Sequence, residues 1–161
     1  MKTNNREALI WSLLCLAIGL VSPSAIIFCL DVLVGHIDPL TSMADILRRQ
    51  FAQGHHLLLI ALFGLIPFTV LSAACFLAAR RMRSTRLACV AVGGLLGILA
   101  RMVPGHIEVW YPLYGSGPKS STAVIAFAFM PFYCLTTLCI GLFAGWLVSL
   151  LPSFRHENKV A

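Results

Sequence analysis

The sequence predicts an all-α integral membrane protein of four transmembrane helices, and three observations lead to that class. Hydrophobic residues fill 59% of the 161 positions and charged residues only 11%, whereas a soluble domain needs about 25% charged residues to cover its surface. A helix crosses a bilayer with roughly 20 apolar residues, and four segments reach or approach that length: 8–30, 57–79, 87–103 and 123–151. Finally, Lys and Arg gather in short clusters beside these segments, the pattern that orients membrane helices. The chain has room for a single membrane domain, 1–161, and little else. Its net charge of +6 is spent on that orientation, so nucleic acid is not an expected partner.

The first span, 8–30, resembles a signal peptide where Ser22-Pro23-Ser24 offers small residues. Its apolar run nevertheless continues through Ala25 to Leu30, which favours a true span. The second, 57–79, and the fourth, 123–151, carry Pro67 and Pro131 in their interiors, as the first carries Pro23. Each proline deletes a backbone hydrogen bond, which membrane helices tolerate when neighbours compensate. The third, 87–103, is the shortest, holds Arg101 and is expected to stop at Pro104. Lys2, Arg6, Arg80, Arg81, Arg83, Arg86, Arg155 and Lys159 lie on one side, against Arg48, Arg49, Arg101 and Lys119 on the other. The richer side should be cytoplasmic. Both termini and loop 80–86 are then expected inside a bacterial inner membrane, with loops 31–56 and 104–122 facing the periplasm. Trp11, Trp110, Tyr111, Tyr114 and Trp146 fall near span ends, where interfacial aromatics anchor helices.

The chain also repeats itself. Phe63, Pro67, Phe68, Leu71 and Cys75 match Phe127, Pro131, Phe132, Leu135 and Cys139, and Gly35-His36-Ile37-Asp38 answers Gly105-His106-Ile107-Glu108. A duplicated helical hairpin would relate the halves by a pseudo-twofold along the membrane normal. It would also set Asp31 against Arg101, each five residues before its Gly-His-Ile-acid word, as a structural ion pair. Such a pair would relieve the cost of two charges at span ends.

The first outer loop reads as a short amphipathic helix, 42–53, on the membrane surface or over the bundle, opened by a Ser42–Asp45 capping box. Gly35 and Gly105 are natural C-caps for spans one and three. His36, Asp38, His55, His106 and Glu108 are the candidate ligands of a divalent metal, and His56 adjoins them. Imidazole with carboxylate suits zinc, and imidazole also suits copper, iron or nickel. The spacing His-x-acid has no metal grammar comparable to His-Glu-x-x-His, so capping and loop packing compete with it. The six cysteines sit inside apolar runs without a Cys-x-x-Cys pair, which argues for packing and against thiol oxidoreductase chemistry.

No glycine-rich phosphate loop, Gly-x-Ser-x-Gly elbow or pair of intramembrane aspartates is present. Trp110, Tyr111 and Tyr114, together with Gly141 and Gly145, form a candidate partner surface, the glycines being a pattern for close helix packing. Three functions follow in order. The first is a non-enzymatic accessory subunit, or an interaction or immunity-type protein, embedded in the lipid bilayer and bound to another membrane protein or to itself. A metal- or haem-linked membrane protein using the repeated Gly-His-Ile-acid sites comes second. A small transporter or channel acting as an oligomer is third.

Overall fold

The computed structural model describes residues 5–51, 57–79, 81–111 and 123–151. Among them are five helices and no strand: α1 (Asn5–Leu33), α2 (Pro39–Phe51), α3 (Leu57–Ala79), α4 (Ser84–Trp110) and α5 (Ala123–Val148). All but α2 are long and apolar enough to cross a membrane, the architecture of a multi-pass membrane protein. Tyr114, His55 and His56 lie outside the described residues.

The four long helices are antiparallel in sequence order, and their contacts fall into two principal pairs, α1 with α3 and α4 with α5. In the first pair the Ser12 hydroxyl donates to the Ser72 carbonyl at 3.2 Å. Phe68 packs against Gly19, where a Cβ would come 2.6 Å from its Cγ. The second pair is tighter. Gly93 and Gly97 on α4 meet Gly141, Gly145 and Thr137 on α5, backbone to backbone; a Cβ on Gly93 would sit 2.9 Å from Cα of Gly145. In lipid the apolar surface of a helix is as well solvated as in a protein, so association depends on such close van der Waals approach. Leu71 of α3 then packs onto Gly94 and Met102 of α4 reaches Gly64, joining the two pairs. The core between them is built from Cys15, Phe68, Leu71, Cys75, Leu95, Ile98, Met102, Met130, Cys134 and Leu138.

Several expectations are corrected. Span three does not end before Pro104: α4 runs through that proline to Trp110. In a medium without water, a helix that stops leaves carbonyls without donors, so continuing past one missing N–H is cheaper. Gly105 is therefore no C-cap; it sits in mid-helix, where a Cβ would meet the Met130 methyl at 2.9 Å. Gly35 follows α1 in a turn, so the two Gly-His-Ile-acid words occupy different local structures. The repeat is also out of step in space. Buried Met130, Pro131, Cys134 and Leu138 correspond in position to buried Pro67, Phe68, Leu71 and Cys75, one residue short of the offset at which the sequences match. One residue turns a helix by about 100°. Phe68 is accordingly buried while its sequence counterpart Phe132 is 65% exposed, and Cys75 is buried while Cys139 is exposed.

The first loop helix begins at Pro39, three residues before Ser42. It packs against the side of the bundle. Ser42 meets Asp31, Ile46 packs with Ile27 and Phe28, and Gln50 meets Ser24. As α2 advances, its partners on α1 recede, so α2 runs back antiparallel along the flank of α1. Ile60 and Trp110 close the same cluster from α3 and α4.

The α4–α5 contact sets a measurable asymmetry between glycines. Gly97→Ala presses a methyl into the Thr137 carbonyl and should cost about 1–3 kcal/mol, because neither backbone can withdraw. Gly64→Ala meets only the flexible Met102 methyl at 3.2 Å, and should change stability by under about 1 kcal/mol in either direction. Midpoints of SDS-induced unfolding in mixed micelles would rank the two, and equal losses would place the critical packing elsewhere.

Candidate functional site

The sequence-predicted polar residues collect at the end of the bundle that carries α2, and the local chain explains where each one goes. Val34 and Gly35 donate to the Leu30 carbonyl at 2.9 and 3.0 Å, and Ile37 donates to the Asp31 carbonyl at 3.0 Å. Between them His36 adopts φ of 50°, the left-handed conformation that usually falls to glycine. Histidine is among the few non-glycine residues enriched there, and its side chain is exposed.

Asp38 caps α2. Its Oδ2 accepts from the Leu40 and Thr41 amides at 3.1 and 3.2 Å and from the Thr41 hydroxyl at 3.4 Å. Pro39 follows at the first helical position, where its missing N–H costs nothing. A carboxylate at a helix start satisfies orphan amides and faces the positive end of the dipole, so this arrangement accounts for Asp38 without a metal. The expected Ser42–Asp45 capping box is absent. Ser42 lies in the second turn, 1% exposed, and its hydroxyl donates to Asp31 Oδ2 at 2.8 Å. Asp45 instead pairs with Arg49 at 3.8 Å, an i,i+4 contact on the surface of α2.

Asp31 and Arg101 are taken up by different groups. Asp31 is buried against Ser42, while the Arg101 guanidinium lies 5.4 Å from the centroid of the Tyr133 ring, a cation–π geometry. Arg101 stands nine residues before the end of α4, about 13 Å along the helix axis, rather than at a span edge.

His106 is 1% exposed inside α4, and its Nδ1 lies 3.0 Å from the Met102 carbonyl. A carbonyl only accepts, so Nδ1 carries the proton. Glu108 is exposed two residues on. Among the described residues no group of three His, Cys, Asp or Glu side chains converges on a metal-sized site. His36, Asp38, His106 and Glu108 are thus distributed among a turn, a cap, a helix interior and a surface. The fifth candidate, His55, is outside the described residues.

The candidate partner surface also divides. Trp110 is half-buried against the Ile27–Ile46 cluster, and Tyr111 is exposed beyond the end of α4. Gly141 and Gly145 are occupied by α4 and offer no free packing face. What sequence reading missed is the opposite side of α5. Phe129, Phe132, Tyr133, Ile140, Phe143 and Leu147 are all exposed and share one face by helical spacing. Ring centroids lie 6.5 Å apart for Phe129–Phe132 and 5.9 Å for Phe143–Trp146. The three-and-four spacing of these residues opposite the glycines was the available signal.

No family model, curated protein or solved structure matches this chain.

Two substitutions separate capping from metal ligation. Asp38→Asn keeps an N-cap acceptor and should hold stability close to wild type, whereas Asp38→Ala should lose about 0.5–2 kcal/mol. His36→Gly relieves the left-handed residue and should leave the protein as stable or more so by up to about 1 kcal/mol. Unfolding midpoints measured with and without added zinc would decide. A zinc-dependent gain in wild type that both His36→Gly and Asp38→Asn abolish would favour the ligand role.

Proposed function

We propose that this chain is a non-enzymatic polytopic membrane protein, an accessory or interaction subunit that binds another membrane protein through the aromatic face of α5. The observation that carries the reading is the asymmetry between the two outer helices. The exposed face of α1 is aliphatic, with Leu9, Ile10, Leu13, Leu14, Leu20 and Val21, whereas that of α5 carries four exposed rings and Trp146. Aliphatic chains match lipid tails. Rings present large rigid surfaces at low entropic cost, which suits a protein partner.

The buried hydroxyls support the non-enzymatic part. Ser22 and Ser149 donate to carbonyls one turn back, while Ser12 donates to the Ser72 carbonyl and Ser42 to Asp31 across helix contacts, so all four are taken up by helix structure and packing. We also read the protein as lying in a bacterial inner membrane with the α3–α4 connection and both termini in the cytoplasm. The excess of Lys and Arg on that side supports this. Pairing of α1 with α3 and of α4 with α5 supports an origin in two tandem hairpins whose faces have since rotated.

A photo-crosslinking residue at Phe132 or Phe143, compared with one at Leu13 or Leu20 in native membranes, tests the partner face. A discrete protein adduct from the α5 positions alone is expected. Lipid adducts alone from both faces would end the proposal, and an adduct of twice the chain mass would make the partner a second copy. Orientation has its own check: a cysteine placed at Arg48 should react with an impermeant maleimide in intact cells, and one at Ser84 only after permeabilisation. The reverse order would invert the topology.

A further inference from the structure

We infer that α2 is a re-entrant helix: it dips into the leaflet beside α1, and lipid covers the arc of Leu40, Met43 and Leu47, with acyl chains reaching the deepest of them, Leu47. The inference is independent of the partner proposed for α5. It rests on depth, on the division of the helix surface and on continuity with the lipid-facing spans.

Depth comes from three successive contacts. Ser42 meets Asp31, two residues before the end of α1; Ile46 packs at Ile27 and Phe28; Gln50 Nε2 donates to Ser24 Oγ at 2.8 Å, nine residues before that end. At 1.5 Å per residue, α2 therefore descends to about 13 Å below the tip of α1. The 29 residues of α1 span about 43 Å, close to a whole bilayer with its headgroups, of which about 30 Å is hydrocarbon. A centred α1 leaves about 6 Å of each end in the headgroup layer. The later half of α2 lies deeper than that.

The surface of α2 divides into three arcs at 100° per residue. Ser42, Ile46 and Gln50 form the arc held by the bundle. Leu40, Met43 and Leu47, with exposures of 82%, 57% and 61%, form the next. Thr41, Asp45, Arg48 and Arg49 complete the circle. A helix standing free in water would have no reason to keep one whole arc apolar beside another that is charged. A helix against a bundle at the membrane boundary meets protein, acyl chains and water on three sides. Because α2 points into the membrane, its side chains lean back toward its N-terminus and the interface. Arg48 and Arg49 can thus reach headgroup or water while Leu47, at a similar depth on the apolar arc, remains in hydrocarbon. Leu33, the last helical residue of α1, is also exposed and carries apolar surface to the same end of the bundle.

The test uses the full chain in nanodiscs of phosphatidylcholine and phosphatidylglycerol, with an environment-sensitive fluorescent amino acid replacing Met43, Leu47 or Arg48 in turn. Bromine-labelled acyl chains should quench emission at the Leu47 position more than at Met43, and aqueous iodide should quench the Arg48 position several-fold more than the Leu47 position. Equal iodide quenching at all three positions would place the helix in water and overturn the inference. Protection of the Met43 and Leu47 positions from both quenchers would overturn it in favour of a covering protein.

Discussion

The close approach of the α4 and α5 backbones at their glycines sets the position of much else. Inside a bilayer, burying leucine against leucine gains little over leaving it in lipid. The spans are then held by contacts that lipid cannot imitate. Gly93, Gly97, Gly141 and Gly145 let carbonyls and Cα atoms of two helices touch where any Cβ would intrude. With α5 clamped there, its opposite face must look outward, and the aromatic surface follows from the glycine surface by helical geometry alone. Arg101 is placed over the Tyr133 ring by the same register.

At the other pair the logic differs. Phe68 fills the space above Gly19, a large side chain against a bare backbone, and Ser12 adds a hydrogen bond to the Ser72 carbonyl. Interhelical hydrogen bonds in membranes average only about 0.6 kcal/mol in direct measurement, so shape carries more of this contact than polarity does. The α2 end is where polarity matters. Asp31 and Ser42 are both buried, and each would be expensive without a partner. Their 2.8 Å bond fixes the first turns of α2 against α1, and Asp38 starts that helix at a defined residue.

The four long helices were legible in the sequence because lipid imposes a crude requirement, length and apolarity, that composition alone can meet. The end of α4 was not. Pro104 reads as a stop under rules learned from helices in water, and here the medium removes the reward for stopping. Asp38 was read as a candidate ligand because a carboxylate near a histidine looks the same whether it binds a cation or three atoms of its own helix. The following Pro39 was the clue, since aspartate before proline is a helix start. The repeated Gly-His-Ile-acid words adopt different local structures for a further reason. A short motif fixes residue types, while the preceding turn decides whether it falls in a helix or after one. The glycines were identified as packing residues, but a sequence cannot say whether the mate of a small-residue face lies in the same chain. That depended on α5 returning alongside α4 in the right register.

The glycine contact also imposes an order on the making of the protein. Thirty-eight residues separate Trp110 from Val148, about 2–8 s of synthesis at ~5–20 residues per second. Throughout that interval α4 is complete, carries a positive charge in its length and has a bare backbone stripe with no mate. The first hairpin can pair as soon as α3 emerges, but the second waits for the last helix to be delivered. Nascent chains halted anywhere in that window present quality-control proteases with the same lesion, an unsheltered α4, so late truncations should be cleared as readily as early ones.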